Sequence, residues 1–316
     1  MSLRLPTRER PFRWRKLGRV FEAAMTHGYT HGSHPCALHL KGDTFLLAFT
    51  CRDANRRSHI FLAHAEISGD DFRFLGQPTL ALSPGPTGAF DCDGTISVCF
   101  VQNEGRIYLY YVGWQNLPDA IWTVGTGRLI VDAEALTLTR EFPGPVFGQD
   151  KHNPLFVGAT AFHVDAGFWQ TWYNSGIIWE RRGSGWFHRY GIHYGWSKDG
   201  VDWVSQPGLC IPFRDEHEYA FGRPTVYVAG GTYFMWFACR ATKEIDAYRM
   251  GFATSRDGIT WDRDDTLAGI DVSPGAWDGE MICYPYVIEH RGRMYMLYNG
   301  NGYGRTGFGL AILDQS

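Results

Sequence analysis

The apolar residues of this chain fall in short runs of β type, cut by turns rich in Gly, Asn and Asp. One phrase recurs five times: an apolar strand, a Gly-containing tight turn, then an aromatic strand ending in Phe or Tyr. The closing aromatics are Phe49, Tyr111, Tyr173, Phe237 and Tyr298, spaced 62, 62, 64 and 61 residues apart. A fixed period marks a repeat architecture, because each unit needs neighbours to bury its faces. About four short strands fit into each unit, the make-up of one propeller blade. The pattern predicts an all-β, five-bladed β-propeller, a single domain over residues 1–316.

In the first unit, which starts at Pro35, strands are predicted at 45–49, 59–67 and 72–75. The second unit has 95–101, 107–112, 123–131 and 136–140, and the third 160–164, 168–173, 190–196 and 202–204. The fourth has 224–228, 233–237, 249–254 and 260–262; the fifth has 285–289, 294–298 and 308–313 and is one strand short. The stretch Phe12-Arg13-Trp14-Arg15-Lys16-Leu17-Gly18 echoes Phe72-Arg73-Phe74-Leu75-Gly76. It is therefore expected to supply the outer strand of the last blade and close the ring, which removes exposed sheet edges.

Two segments, Ser197-Lys198-Asp199-Gly200-Val201-Asp202-Trp203 and Ser255-Arg256-Asp257-Gly258-Ile259-Thr260-Trp261, share the form S-x-D-G-x-x-W. The Asp can accept backbone N–H bonds, the Gly can take positive φ, and the Trp can pack on the blade. The pattern looks like the Asp-box turn of sialidases and related propellers. It joins strands three and four, so it is read as scaffold on the face opposite the site.

Composition narrows the class. Aromatics reach 16%, with 12 Trp, 16 Tyr and 21 Phe. Most are expected to pack between blades, and a few to line a sugar-stacking funnel. A net charge of −3 gives no argument for nucleic acid or an anionic membrane. No apolar stretch reaches the length of a membrane span, and Met-Ser-Leu-Arg-Leu-Pro-Thr-Arg lacks the apolar core of a signal peptide. The seven cysteines form no CxxC pair and are odd in number, so buried free thiols in the cytoplasm are expected.

In a propeller, the starts of the inner strands and the loops between strands two and three share the funnel face, where loops on a rigid scaffold carry function. Inner-strand entries hold Ser33-His34-Pro35, Asp91-Cys92-Asp93, His152-Asn153, Glu216-His217-Glu218 with Arg223, and Asp278-Gly279-Glu280. The other set holds Arg52-Asp53, Trp114-Gln115-Asn116, Asn174-Ser175, Arg240 and Asn299-Gly300-Asn301. Glycoside cleavage needs one carboxyl group to protonate the leaving oxygen and another to activate water or attack. Asp91 or Asp93 is the candidate base or nucleophile, and Glu218 or Glu280 the candidate acid. Candidate substrate-binding residues are His34, Arg52, Asp53, Trp114, His152, Asn153, Arg223, Arg240, Tyr284 and Asn299. Arg223 could clamp an anionic group or hold a carboxylate ionised, and Trp114 and Tyr284 could stack on a ring. The alternative is that the carboxylates only bond loop amides and arginines. His27, His31 and His34, with His152, Asp91 and Glu280, could bind a divalent metal on the axis, but their spacing matches no zinc pattern. No cofactor is assigned.

The repeat resembles the five-bladed glycoside hydrolases of the arabinanase/xylosidase and invertase/levansucrase families. Those families place carboxylates at successive inner-strand starts, beginning with an Asp in blade one. Here Ser33-His34-Pro35 stands at that place, and His152-Asn153 stands where a blade-three Glu is expected. The segment from Trp277-Asp278-Gly279-Glu280 through Tyr298-Asn299-Gly300-Asn301 looks like uncharacterised members associated with bacterial surface-polysaccharide synthesis. The resemblance implies a glycoside-hydrolase-like enzyme on a sugar or nucleotide-sugar. The alternatives are a metal-dependent lyase, epimerase or sugar-transfer enzyme, and a sugar-binding propeller without chemistry.

Overall fold

The computed structural model describes residues 4–118, 121–240 and 246–314. The expected domain limits, 1 and 316, lie outside the described residues. The chain is all-β, arranged as antiparallel meanders in a propeller-like fold. The first meander runs through Thr30–Lys41, Thr44–Arg52 and Ser58–Ser68, and two short strands, Asp71–Phe74 and Thr79–Leu82, both pair with Ser58–Ser68. The second runs through Gly94–Asn103, Arg106–Gln115, Thr123–Asp132 and Thr137–Arg140. The third is Val157–Asp165, Phe168–Arg182, Gly185–Ser197 and Trp203–Gln206, and the fourth Ala220–Ala229, Thr232–Arg240, Arg249–Ser255 and Asp262–Arg263. Cys283–His290, Arg293–Asn299 and Phe308–Leu313 form the C-terminal meander.

Trp14–Phe21 is the outer strand of that C-terminal sheet, pairing antiparallel from Trp14 opposite Leu313 to Phe21 opposite Phe308. The sequence echo in 12–18 thus marks a real strand, and it covers an edge that would otherwise offer unpaired backbone groups. Single parallel register pairs, Ser58 with Gly94 and Tyr190 with Ala220, link the first meander to the second and the third to the fourth.

The repeat aromatics are the core between meanders. Phe49, Tyr173, Phe237 and Tyr298 are fully buried, and Tyr111 nearly so. Phe21, Phe49 and Phe308 pack together with ring centroids 4.5 and 5.0 Å apart, so the first and C-terminal meanders share one apolar layer. Phe12 and Trp14 reach into the layer between the fourth and C-terminal meanders, against Trp236. Truncating one such buried ring costs about 3–5 kcal/mol.

The two S-x-D-G-x-x-W turns share the same Ser and Asp wiring. Ser255 Oγ accepts the N–H of Asp257 and Gly258, and Asp257 Oδ1 accepts the N–H of Ile259 and Thr260. Ser197 and Asp199 repeat this with Gly200, Val201 and Asp202. Gly258 sits at φ 75°, and the Trp172 indole from the preceding meander donates to its carbonyl at 2.7 Å. Tyr110 does the same for Gly200 at 2.6 Å. The turns therefore staple neighbouring meanders together, and Oδ1 of Asp199 and of Asp257 is taken by two backbone N–H groups and the Ser hydroxyl.

The third meander departs from the expected pattern. The strand expected to stop at 173 continues through polar Asn174 and Ser175 to Arg182, paired down to Arg182 opposite Gly185. The partner strand supplies the hydrogen bonds that the local apolar pattern does not signal, and Trp179 packs on Trp122 with centroids 4.8 Å apart. No helix among the described residues is long and apolar enough to cross a membrane.

Candidate functional site

A cavity of about 350 Å³ draws its walls from each of the meanders. One wall is aromatic. Trp114 and Trp122 lie with centroids 4.6 Å apart, Trp122 and Phe156 4.8 Å apart, and His188 stacks on Tyr190. The lining is also cationic and polar, with His34, Arg52, Asn174, Arg223 and Arg240. Tyr248, Tyr284 and Tyr303 belong to it as well. Among the described lining residues there are three arginines and no Asp or Glu.

Arg223 is the organising residue. It begins after Gly222 at φ 36°, a left-handed backbone held by Asn174, whose Oδ1 accepts the Arg223 N–H at 3.3 Å. Its side chain reaches across three meanders. Nη1 donates to Tyr284 O at 3.1 Å, and Nη2 donates to Pro35 O at 2.8 Å and Val98 O at 3.0 Å. Only 2% of the residue is exposed, and among the described residues no carboxylate pairs with it and its buried Nε has no partner. Burial pulls its pKa below the ordinary arginine range.

His34 is shaped by the same neighbourhood. It too has positive φ, at 50°, and its ring stacks on Tyr284 with centroids 4.0 Å apart. Asn299 Oδ1 accepts the His34 N–H at 3.2 Å, and the Asn299 amide donates to Tyr303 O at 3.1 Å. Asn299 thus fixes two cavity residues without lining the cavity itself. Burial, then Arg223 and Arg52, hold the His34 pKa well below 6.5, so the ring is neutral. Arg240 is caged by the rings of Tyr219, Tyr248 and Tyr303 at 5.3 to 5.7 Å and bonds Asp246 at 3.1 Å. Arg52 has no side-chain partner among the described residues. The hydroxyls of Tyr190 and Tyr248 bond each other inside the cavity.

The expected carboxylates are not brought together here. Asp91 is buried and accepts from Arg140 Nε at 2.8 Å and Tyr111 OH at 3.0 Å. Glu218 is wholly buried and takes both Arg263 guanidinium nitrogens at 2.8 and 2.7 Å, with the Arg214 N–H at 2.9 Å. Both act as counter-ions in the scaffold, because long-range arginines claim their oxygens. Asp93 is half-buried and accepts the Asn116 N–H at 2.8 Å, beside Trp114. Glu280 is exposed, its N–H donating to Asn301 Oδ1 at 2.8 Å. Neither lines the cavity.

Of the expected binding residues, His34, Arg52, Trp114, Arg223, Arg240 and Tyr284 line the cavity. Asp53 instead accepts from Arg57 and faces His59, and Asn153 bonds Asp150 and Ser205. His152 is exposed. The histidines do not converge: His27 is exposed, and His31 bonds Thr30 Oγ1, its pKa lowered to about 4 by burial, Arg52 and Arg305. Among the described residues, no group of three or more His, Cys, Asp or Glu is placed to hold a metal ion. Tyr190 and Tyr248 were not signalled, although both lie near the start of a third strand in successive repeats. Aligning the repeats on that position would have found them.

No family model matches the chain. Two proteins of Mycobacterium tuberculosis, the uncharacterized proteins MT1551 and Rv1502, are each 36% identical over 305 residues, covering 95% of this chain and 99% of theirs. Among solved structures, one described as a glycoside hydrolase superposes with a TM-score of 0.74 at 18% identity, over 97% of this chain and 93% of that one. A structure titled for the GH130 family of mannoside phosphorylases, containing glycoside hydrolases that target β-1,2 mannosidic linkages in Candida mannan, gives 0.66 at 12% identity over 99% and 96%. The fold is therefore glycoside-hydrolase-like.

Proposed function

The chain belongs to the family of the uncharacterized M. tuberculosis proteins MT1551 and Rv1502, and on that premise we propose that it binds a carbohydrate in an axial funnel. In this reading the meanders are the five blades of one propeller domain, with Trp14–Phe21 closing the ring. The observation that carries it is the cavity itself: the aromatic rings of Trp114, Trp122 and Tyr190 and several hydrogen-bonding side chains line a single space. Sugar rings present apolar C–H faces to aromatic surfaces and hydroxyls to polar groups, and this cavity offers both. At about 350 Å³ it lies at the small end of ligand pockets, suited to a mono- or disaccharide.

Hydrolysis is a second reading, and it rests on Asp93 and Glu280. Asp93 donates its N–H to Trp114 O at 3.0 Å, and Glu280 lies in the loop that leads into Tyr284. Asp93→Asn and Glu280→Gln variants that keep full turnover of a cleaved glycoside would remove it. We also propose a cytoplasmic site of action, supported by seven free cysteines, most of them buried.

Screening wild type and Trp122→Ala on a carbohydrate array, followed by saturation-transfer NMR, tests the binding reading. Wild type should capture a sugar that Trp122→Ala binds at least about fivefold more weakly, since stacking on one ring is worth about 1–3 kcal/mol by analogy with base stacking. Equal binding by both proteins would move the ligand elsewhere.

A further inference from the structure

The cationic wall says more about the ligand than the aromatic one. A guanidinium has five N–H donors, and Arg223 commits three of them to backbone carbonyls. That leaves Nε–H and one Nη1 hydrogen without a partner in a residue only 2% exposed. A buried charge without a counter-ion is costly, and folded proteins normally avoid it. Carbonyl oxygens orient the guanidinium but carry no charge to neutralise it. Arg52 brings a second cation with no described partner onto the same cavity, and Arg240 a third. Among the described residues Asp246 pairs with Arg240 and accepts from the Tyr219 hydroxyl. Arg128 has Glu141, and Arg263 has Glu218 and Asp265. Half-buried Arg189 resembles Arg223 in donating to carbonyls, those of Glu216 and Glu218, with a buried Nε left over, but it does not line this cavity.

We propose that the sugar bound here carries an oxyanion, a phosphate or a carboxylate, which docks on Arg223 Nε and Arg52 and completes the charge balance of the cavity. This rests on the reading of the cavity as a carbohydrate site and names the class of carbohydrate. The neutral His34 ring and the Tyr190–Tyr248 hydroxyl pair then face the hydroxyls, while Trp114 and Trp122 take the ring. Planar guanidinium forks match both oxyanion types, so the wall alone does not separate a sugar phosphate from a uronic acid.

Titration calorimetry of the full chain against glucose 1-phosphate, glucuronate, glucose and inorganic phosphate tests this, with Arg52→Gln and Trp122→Ala as variants. Arg52→Gln is the main variant because it breaks no described side-chain contact; Arg223→Met is the second. A charged sugar should bind at least tenfold tighter than glucose, and Arg52→Gln should erase that preference while its melting temperature stays at wild type. Preference for the phosphate over glucuronate assigns the phosphate source, and the reverse assigns the uronate. If charged and neutral sugars bind alike and Arg52→Gln changes nothing, the oxyanion proposal falls and the carbohydrate reading survives. If inorganic phosphate binds as tightly as glucose 1-phosphate and Trp122→Ala is silent, the oxyanion proposal stands and the carbohydrate reading falls. No heat from any of the four overturns both.

Discussion

Arg263 and Arg223 belong to the same meander, and both guanidinium groups are nearly closed off from solvent, yet they are treated in opposite ways. Arg263 lies against Glu218 and Asp265 with contacts of 2.7 Å, its charge fully matched. Arg223 is given three carbonyl oxygens and the Tyr286 ring face at 5.5 Å, with a buried Nε that has no partner among the described residues. The first is a scaffold arginine, complete without any other molecule. In the proposed reading the second is completed by an anion that enters the cavity. Charge compensation, taken together with cavity position, is then what separates Arg263 as scaffold from Arg223 as ligand-binding.

The comparison breaks most visibly at Glu218. Replacing it with Ala leaves Arg263 with Asp265 alone, and urea denaturation should show a loss of about 3 kcal/mol, the low end for breaking a buried pair. A Glu218→Ala protein as stable as wild type would place Glu218 outside the scaffold and reopen its expected role as an acid. Arg223→Met should cost less, under about 2 kcal/mol. It forfeits three bonds to carbonyls but removes an unneutralised buried charge. Adding a bound oxyanion should then raise the melting temperature of wild type and leave Arg223→Met unchanged.

Acid gives a smaller effect of known sign. Burial holds the His193 pKa near 4 in the folded chain, and His34 is lowered too. Below the unfolded value of about 6.5 only the unfolded chain takes up these protons, so stability falls as pH drops from about 6.5 towards 4. Melting scans across that window should show the decline, and His193→Gln should flatten part of it. The smallest expected change concerns the ligand. Because burial, then Arg223 and Arg52, keep His34 neutral, the affinity for an oxyanion such as sulfate should be flat between pH 8 and 6. A steep rise on acidification would mean that His34 charges and joins the cationic wall.

Much of the architecture was readable because it repeats. Phe49, Tyr111, Tyr173, Phe237 and Tyr298 announce equivalent buried positions in successive second strands, and the Trp14 segment announces a strand by resembling another one. Inner-strand position likewise led to His34 and Arg223, and the loops after second strands to Arg52, Trp114 and Arg240. The carboxylates were harder for a physical reason. Loop position says which face a residue sits near, but Asp91 is claimed by Arg140 and Glu218 by Arg263, partners 49 and 45 residues away that no local pattern reveals. Tyr190 and Tyr248 were hidden differently, since a cavity tyrosine and a packing tyrosine read alike in a chain with 16 of them.

The most direct test is a crystal soaked in selenate, with anomalous differences measured at the selenium edge. The account predicts a selenate oxygen within hydrogen-bond distance of Arg223 Nε, with Arg52 turned towards it. Selenate bound at other arginines with the Arg223 site empty would contradict it.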